Sequence, residues 1–204
     1  MAMKSEKIRK LVTMAMLAAL SIVLVYVVHF PIFPAAPFLE YDPADIPILI
    51  GTFAYGPVAG IILTVIQGMT VSASSGFMGI AMHIFATSIL VLVAGNIYRL
   101  KHTKKGAVIA LICGVAAMTA GMVVFNYFIT PYFITPDIAD AAAVAANRDF
   151  VKTLLVPVII PFNLIKAGVN GLVTFLVYKT VSRHLVHGEG WEKRPKLNQV
   201  QTEQ

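Results

Sequence analysis

Long apolar blocks separated by short polar stretches run the length of the chain. Leu11 to Phe30 is 20 residues without a charge, Ile46 to Val71 is 26, Gly76 to Tyr98 is 23 and Gly106 to Pro136 is 31. The last block, Thr153 to Tyr178, is 26 residues with one interruption, Lys166. A membrane-spanning helix needs about 20 apolar residues, so the raw count is five. The second block contains Gly56-Pro57, a strong helix breaker. It divides into two short helices, roughly Pro43 to Tyr55 and Pro57 to Ser72. At ~1.5 Å per residue the first of these reaches only ~20 Å, short of a ~30 Å hydrocarbon core. It is expected to pack among its neighbours, with loop at its outer end.

Charge placement chooses six helices over five. Lys4, Lys7, Arg9 and Lys10 precede the first span, which puts the N-terminus in the cytoplasm by the positive-inside rule. Six helices also place Arg99, Lys101, Lys104 and Lys105 inside, together with Lys179, Arg183, Lys193, Arg194 and Lys196 near the C-terminus. Only Arg148 and Lys152 then lie outside. Glu40, Asp42, Asp45, Asp137, Asp140 and Asp149 fall on that outer side. The expected fold class is an all-α membrane protein with six transmembrane helices and both termini cytoplasmic. A re-entrant hairpin for the second and third helices would keep the same parity.

Composition agrees. Of 204 residues, 58% are hydrophobic and 13% charged, against about 25% charged in soluble domains. Mean hydropathy is +0.80. These values exclude disorder, a nucleic-acid module and an ordinary cytosolic enzyme, despite an isoelectric point near 9.5. Residues 1–186 read as one membrane domain and 187–204 as a loose polar cytoplasmic tail. The first span is too long for a signal-peptide core and no cleavage site follows it. Cys113, the single cysteine, is expected buried in the fifth helix, with no disulfide or metal role.

Phosphate-binding loops, zinc-binding His-Glu-x-x-His runs and nucleophile elbows are all missing from the sequence. The apolar blocks hold no Asp or Glu, which proton-coupled carriers usually need. The chain is therefore expected to be no enzyme, to hold no metal or cofactor, and to depend on another protein for energy.

Three places carry polar groups where they are costly. In the last helix, PFNLIKAGVNG, Lys166 lies 12 residues from both Leu154 and Tyr178. About 18 Å of helix separates it from either end, and a charge so deep marks a functional site by default. Asn163, Lys166 and Asn170 share its helical face, and Pro157 and Pro161 can kink the helix ahead of them. Asn126, in FNYFITPYF, lies among aromatic residues near the outer end of the fifth helix. In FLEYDPADIPIL, Asp42 is expected to cap the second helix, while Asp45 and Tyr41 can reach a ligand entering from outside. His29 and His83 read as packing residues. On the first helix, Ala15 and Ala19 form a small-residue face that permits close helix contact.

Together, FLEYDPADIPILIGTFAYGPVAGII, FNYF, IIPFNLIKAG and the basic, Ala-rich start resemble the riboflavin-specific substrate-binding subunit, or S component, of energy-coupling factor (ECF) vitamin transporters. The resemblance runs from about Lys7 to Arg183. It implies the six-helix S-component bundle in a bacterial plasma membrane, with an extracytoplasmic pocket covered by the first, third and fifth connecting loops. It implies flavin-ring contacts at Asn163, Lys166 and Asn126, and docking of a transmembrane coupling subunit at Ala15 and Ala19. Two cytoplasmic ATPase subunits would supply the energy. His83 stands where an Asn is expected in relatives. The chemistry suits a flavin: an Asn offers donor and acceptor and a Lys offers donors to a ring edge of carbonyls flanking an imide N–H. The competing readings are an S component for another vitamin or precursor, an autonomous secondary carrier of a small aromatic solute, and a ligand-free assembly protein.

Overall fold

The computed structural model describes residues 2–34, 36 and 39–181; the side chains of 2–5, 71–76, 78 and 179–181 are not described, and the tail expected at 187–204 lies outside the described residues. The order is α1 (Ala2–Val27), a two-residue strand pair β1 (Phe30–Pro31) and β2 (Glu40–Tyr41), α2 (Asp45–Tyr55), α3 (Pro57–Leu100), α4 (Lys104–Phe128), α5 (Thr130–Ile134) and α6 (Ala141–Leu154). A π-helical turn, Leu155–Ile159, then leads into α7 (Ile160–Val181). Among the described residues, four helices are long and apolar enough to cross a membrane: Glu6–Val27, Gly79–Leu100, Lys104–Phe128 and Ala141–Tyr178. Asp45–Tyr55 and Pro57–Thr70 are shorter apolar helices.

The breaker pair acts as the sequence demands. Gly56 has φ +92°, a left-handed backbone that only glycine adopts without strain. Its N–H closes α2 on the Thr52 carbonyl at 2.8 Å, and Pro57 opens α3 at a position where no N–H is needed.

α3 is helical over 44 residues, about 66 Å if straight, yet it doubles back. Gly60 abuts Val91, Gly68 abuts Ile84 and His83, and Gly95 abuts Pro57. These pairs define two antiparallel limbs, Pro57–Thr70 and Gly79–Leu100, packed at the closeness that only glycine allows at Gly60, Gly68 and Gly95. The expected third and fourth helices are thus the two limbs of one helical hairpin. Thr103 caps α4 by accepting from the Gly106 N–H, and Asp140 caps α6 by accepting from the Ala143 N–H.

The main apolar core joins α1 through α4 and α7: Leu17, Ile48, Leu49, Leu63, Leu90, Val91, Ala110, Met118 and Ala167 are all buried in it. A second cluster, Ala36, Leu39, Val151, Val158, Ile159 and Phe162, docks the loop between β1 and β2 onto α6 and the π-helical turn. That loop closes over the end of the bundle where α2 begins. Many apolar side chains on the outer faces are exposed, among them Leu11, Val58, Leu100, Val156 and Leu176, as expected where lipid replaces water. Cys113 is on such an exposed face; the expectation of a buried thiol fails because α4 turns that side away from α3 and α7.

Candidate functional site

At the end of the bundle where α2 begins, polar side chains from five segments form one connected seam. The Lys166 ammonium pairs with Asp42 Oδ2 at 2.6 Å, and both side chains are almost wholly buried. The other carboxylate oxygen, Oδ1, accepts from the Ala44 N–H at 3.0 Å. Asn170 donates to the Asp42 carbonyl at 3.0 Å and to Asp45 Oδ2 at 3.2 Å, and its own oxygen accepts from the Tyr41 hydroxyl at 3.0 Å. Thr87 on α3 donates to Asp45 Oδ1 at 2.8 Å, and Ser21 on α1 donates to the Ala44 carbonyl at 2.7 Å.

The seam follows from local sequence. The Tyr-Asp-Pro-Ala-Asp run forms the tight turn into α2, so Asp42 and Asp45 are presented one turn apart. Helical spacing on α7 places Lys166 and Asn170 opposite them. Burial pushes the Asp42 carboxyl up; the Lys166 charge, His83 and the Ala44 N–H outweigh it and hold the group below the usual carboxylate range. Asp42 is therefore the counter-ion of Lys166. The expectation that it caps α2 is corrected: the cap position is Ala44, without a side-chain bond, because the Asp42 carboxylate is drawn to the buried ammonium.

Asn163 and Asn126 are both buried, on the facing helices α7 and α4. Asn163 donates to the Ile159 carbonyl at 2.8 Å, and Asn126 donates to the Met122 carbonyl at 2.8 Å. Asn126 Oδ1 accepts from Thr130 at 3.1 Å. Each amide keeps a second N–H free of these bonds. The turn containing Pro157 is π-helical and leads into the part of α7 that carries Asn163. Phe125, next to Asn126, lies 4.9 Å from the Phe85 ring between centroids.

The structure thus joins Asn170, Asp45 and Tyr41 by direct hydrogen bonds and ties Lys166 to the same turn through Asp42, with Asn163 one helical turn away on the same face of α7. Asn170 spends both N–H groups holding the loop. His83 lies within electrostatic reach of Asp45, Lys166 and Asp42, and its Nε2 is buried without a partner among the described residues. Asp42, Thr87 and Ser21 were missed from sequence. A buried lysine requires an anion, and that signal alone narrows its partner to the acids beside the second helix. Ala15 and Ala19 are exposed on α1, with Leu17 and Ala18 turned into the core.

Among the described residues no group of His, Cys, Asp or Glu has the arrangement of a metal site.

A family model described as the substrate-specific component of ECF transporters matches residues 9–178. The chain is 31% identical over 181 residues to the riboflavin transporter RibU of Staphylococcus aureus (strain TCH60), covering 87% of this chain and 92% of that one. It is 31% identical over 183 residues to the riboflavin transporter FmnP of Bacillus subtilis (strain 168), covering 84% and 91%. A solved S component of a bacterial ECF transporter superposes with a TM-score of 0.70 at 31% identity, covering 86% of this chain and 96% of that one.

Proposed function

The chain belongs to the family of substrate-specific components of ECF transporters, and from that premise we propose that it binds riboflavin and delivers it across the bacterial plasma membrane as the substrate-binding subunit of an ATP-driven importer. It is a multi-pass membrane protein and not an enzyme. The observation that carries the reading is the polar seam of Asp42, Lys166 and Asn170 beside the buried amides of Asn163 and Asn126, set in a chain 31% identical to two riboflavin transporters.

The Lys166 ammonium has three N–H donors, and Asp42 takes one. The others can reach a flavin carbonyl. Asn163 and Asn126 can match the donor and acceptor pattern of the same ring edge. An analogue lacking that edge would leave these buried groups unpaired, which gives strong discrimination. Phe85 and Phe125 offer a flat apolar surface of the kind an aromatic ring system packs on.

The topology consistent with the antiparallel limbs is six passes with both termini in the cytoplasm. The seam then faces outward, beneath the β1–β2 loop. Ala15 and Ala19 lie on the exposed face of α1, turned away from the core, and serve as the contact for a transmembrane coupling subunit. Two cytoplasmic ATPase subunits complete the module.

Uptake into proteoliposomes tests this reading. The chain alone, with or without a proton gradient, binds but does not accumulate riboflavin; with coupling and ATPase subunits, ATP drives accumulation. Gradient-driven accumulation by the chain alone would make it a secondary carrier instead.

A further inference from the structure

At the end of the bundle opposite the Asp42–Lys166 pair lies a cavity of about 290 Å³. Its walls come from three separate segments: Lys10 on α1, Thr52 to Gly56 at the α2–α3 turn, and Gly95, Tyr98, Arg99 and His102 at the exit of α3. Three of the lining side chains are basic types and none is acidic. Lys10 is held 5.4 Å from the centre of the Tyr55 ring, so its charge is aimed along this wall. Phe53, Tyr98 and Tyr178 form a tight aromatic back, with the Phe53 and Tyr98 ring centroids 4.4 Å apart. The floor is open at Gly56, where a side chain would meet nothing within 4 Å. His102 immediately precedes Thr103, the N-cap of the 25-residue helix α4, whose positive dipole end adds to the local field.

We propose that this cavity binds a phosphate group. Arg99 supplies a planar fork that matches phosphate oxygens in pairs, and Lys10 supplies a point charge. His102 and the Tyr55 hydroxyl supply further donors. The volume suits a small anion or one headgroup and is too small for a nucleotide-sized ligand. The surroundings favour a lipid as its source. Leu11, Val58 and Leu100, exposed apolar residues next in sequence to or one turn beyond the lining residues, offer an adjacent surface for acyl chains. Free phosphate carries the same recognised chemistry. The site stands apart from whatever the opposite end binds.

The test uses the full chain in delipidated detergent micelles. Its thermal midpoint is followed while phosphatidylglycerol, a diacylglycerol with the same acyl chains and no phosphate, or inorganic phosphate is titrated in. The variants are Arg99→Gln, Arg99→Lys and Lys10→Gln, all at exposed positions. Lys105→Gln, an exposed basic residue outside the cavity, controls for general surface charge. The expected result is a saturable stabilisation by phosphatidylglycerol and not by the phosphate-free diacylglycerol. Apparent affinity should fall about tenfold in Arg99→Gln and Lys10→Gln, the scale of one charge-assisted hydrogen bond. Arg99→Lys should retain part of it and Lys105→Gln all of it. An equal, saturable response to inorganic phosphate that the same variants lose would also support the site and make free phosphate its source. Equal stabilisation by the phosphate-free diacylglycerol, or an unchanged response in Arg99→Gln and Lys10→Gln, would overturn the proposal. Riboflavin titration of each variant verifies the fold independently, since none of these residues touches the seam.

Discussion

The Lys166 ammonium lies 2.6 Å from the Asp42 carboxylate, and this contact ties the middle of the last helix to the turn before α2. Lys166 considered alone suggests that removing a desolvated charge is harmless to folding. The pair reverses that expectation, because removing either partner leaves the other buried and uncompensated. Lys166→Met or Asp42→Leu should each cost about 3 kcal/mol of stability, and the double replacement should recover most of it. Denaturation of the four proteins in one detergent, treated as a double-mutant cycle, measures the coupling. Additive losses would show that the two groups act independently.

Acidity tests the same contact. The Asp42 carboxyl is held below its ordinary range in the folded chain. A depressed acid contributes stability that is fully present above its unfolded pKa, about 3.9, and that is lost as pH falls through the lower folded value. The stability gap between wild type and Asp42→Asn should therefore stay constant from pH 7 to 5 and close only below about pH 4. Thermal midpoints measured across that range check it; a gap that closes by pH 5 would mean that the pair does not stabilise the folded state.

The buried amides should act on ligand more than on fold. Asn163→Leu and Asn126→Leu each remove a polar group matched to the flavin edge, and riboflavin affinity should drop by about 1–3 kcal/mol, roughly 5- to 150-fold. Isothermal titration reads this directly. Asn170→Leu should behave differently, destabilising the protein, since its N–H groups hold Asp42 and Asp45 rather than facing a ligand.

Much of this architecture is legible in the chain because membrane helices announce themselves by length and charge. The Gly56-Pro57 break, Lys166 and the seam residues Asp45, Tyr41 and Asn170 could be singled out from spacing and cost alone. The pairing of Lys166 with Asp42 could not, since 124 residues separate them and Asp42 fits a capping role equally well. Helix α6 escaped because Asn147, Arg148, Asp149 and Lys152 break its apolar run well short of a spanning length, and only Val144 and Val151 are buried. The exposure of Cys113 depends on which side of α4 meets α3 and α7, and an almost uniformly apolar helix carries no periodicity to fix that rotation.

The small-residue face of α1 separates binding from coupling. Ala15 and Ala19 are exposed while Leu17 and Ala18 carry the internal packing. Ala15→Leu with Ala19→Leu should leave riboflavin affinity within a few-fold and abolish co-purification with the coupling subunit. If flavin binding is lost with assembly, the face is internal to the bundle and the assignment is wrong.

The central claim is that this chain by itself forms a riboflavin site from Lys166, Asn163 and Asn126. The direct measurement is titration of purified, detergent-solubilised protein with riboflavin, read by the heat of binding, alongside thiamin. The account predicts saturable one-to-one binding of riboflavin, weakened in Asn163→Leu and Asn126→Leu, and no binding of thiamin, which lacks the carbonyl–imide edge that the buried amides match. Absence of riboflavin binding, or binding that both variants leave unchanged, would contradict it.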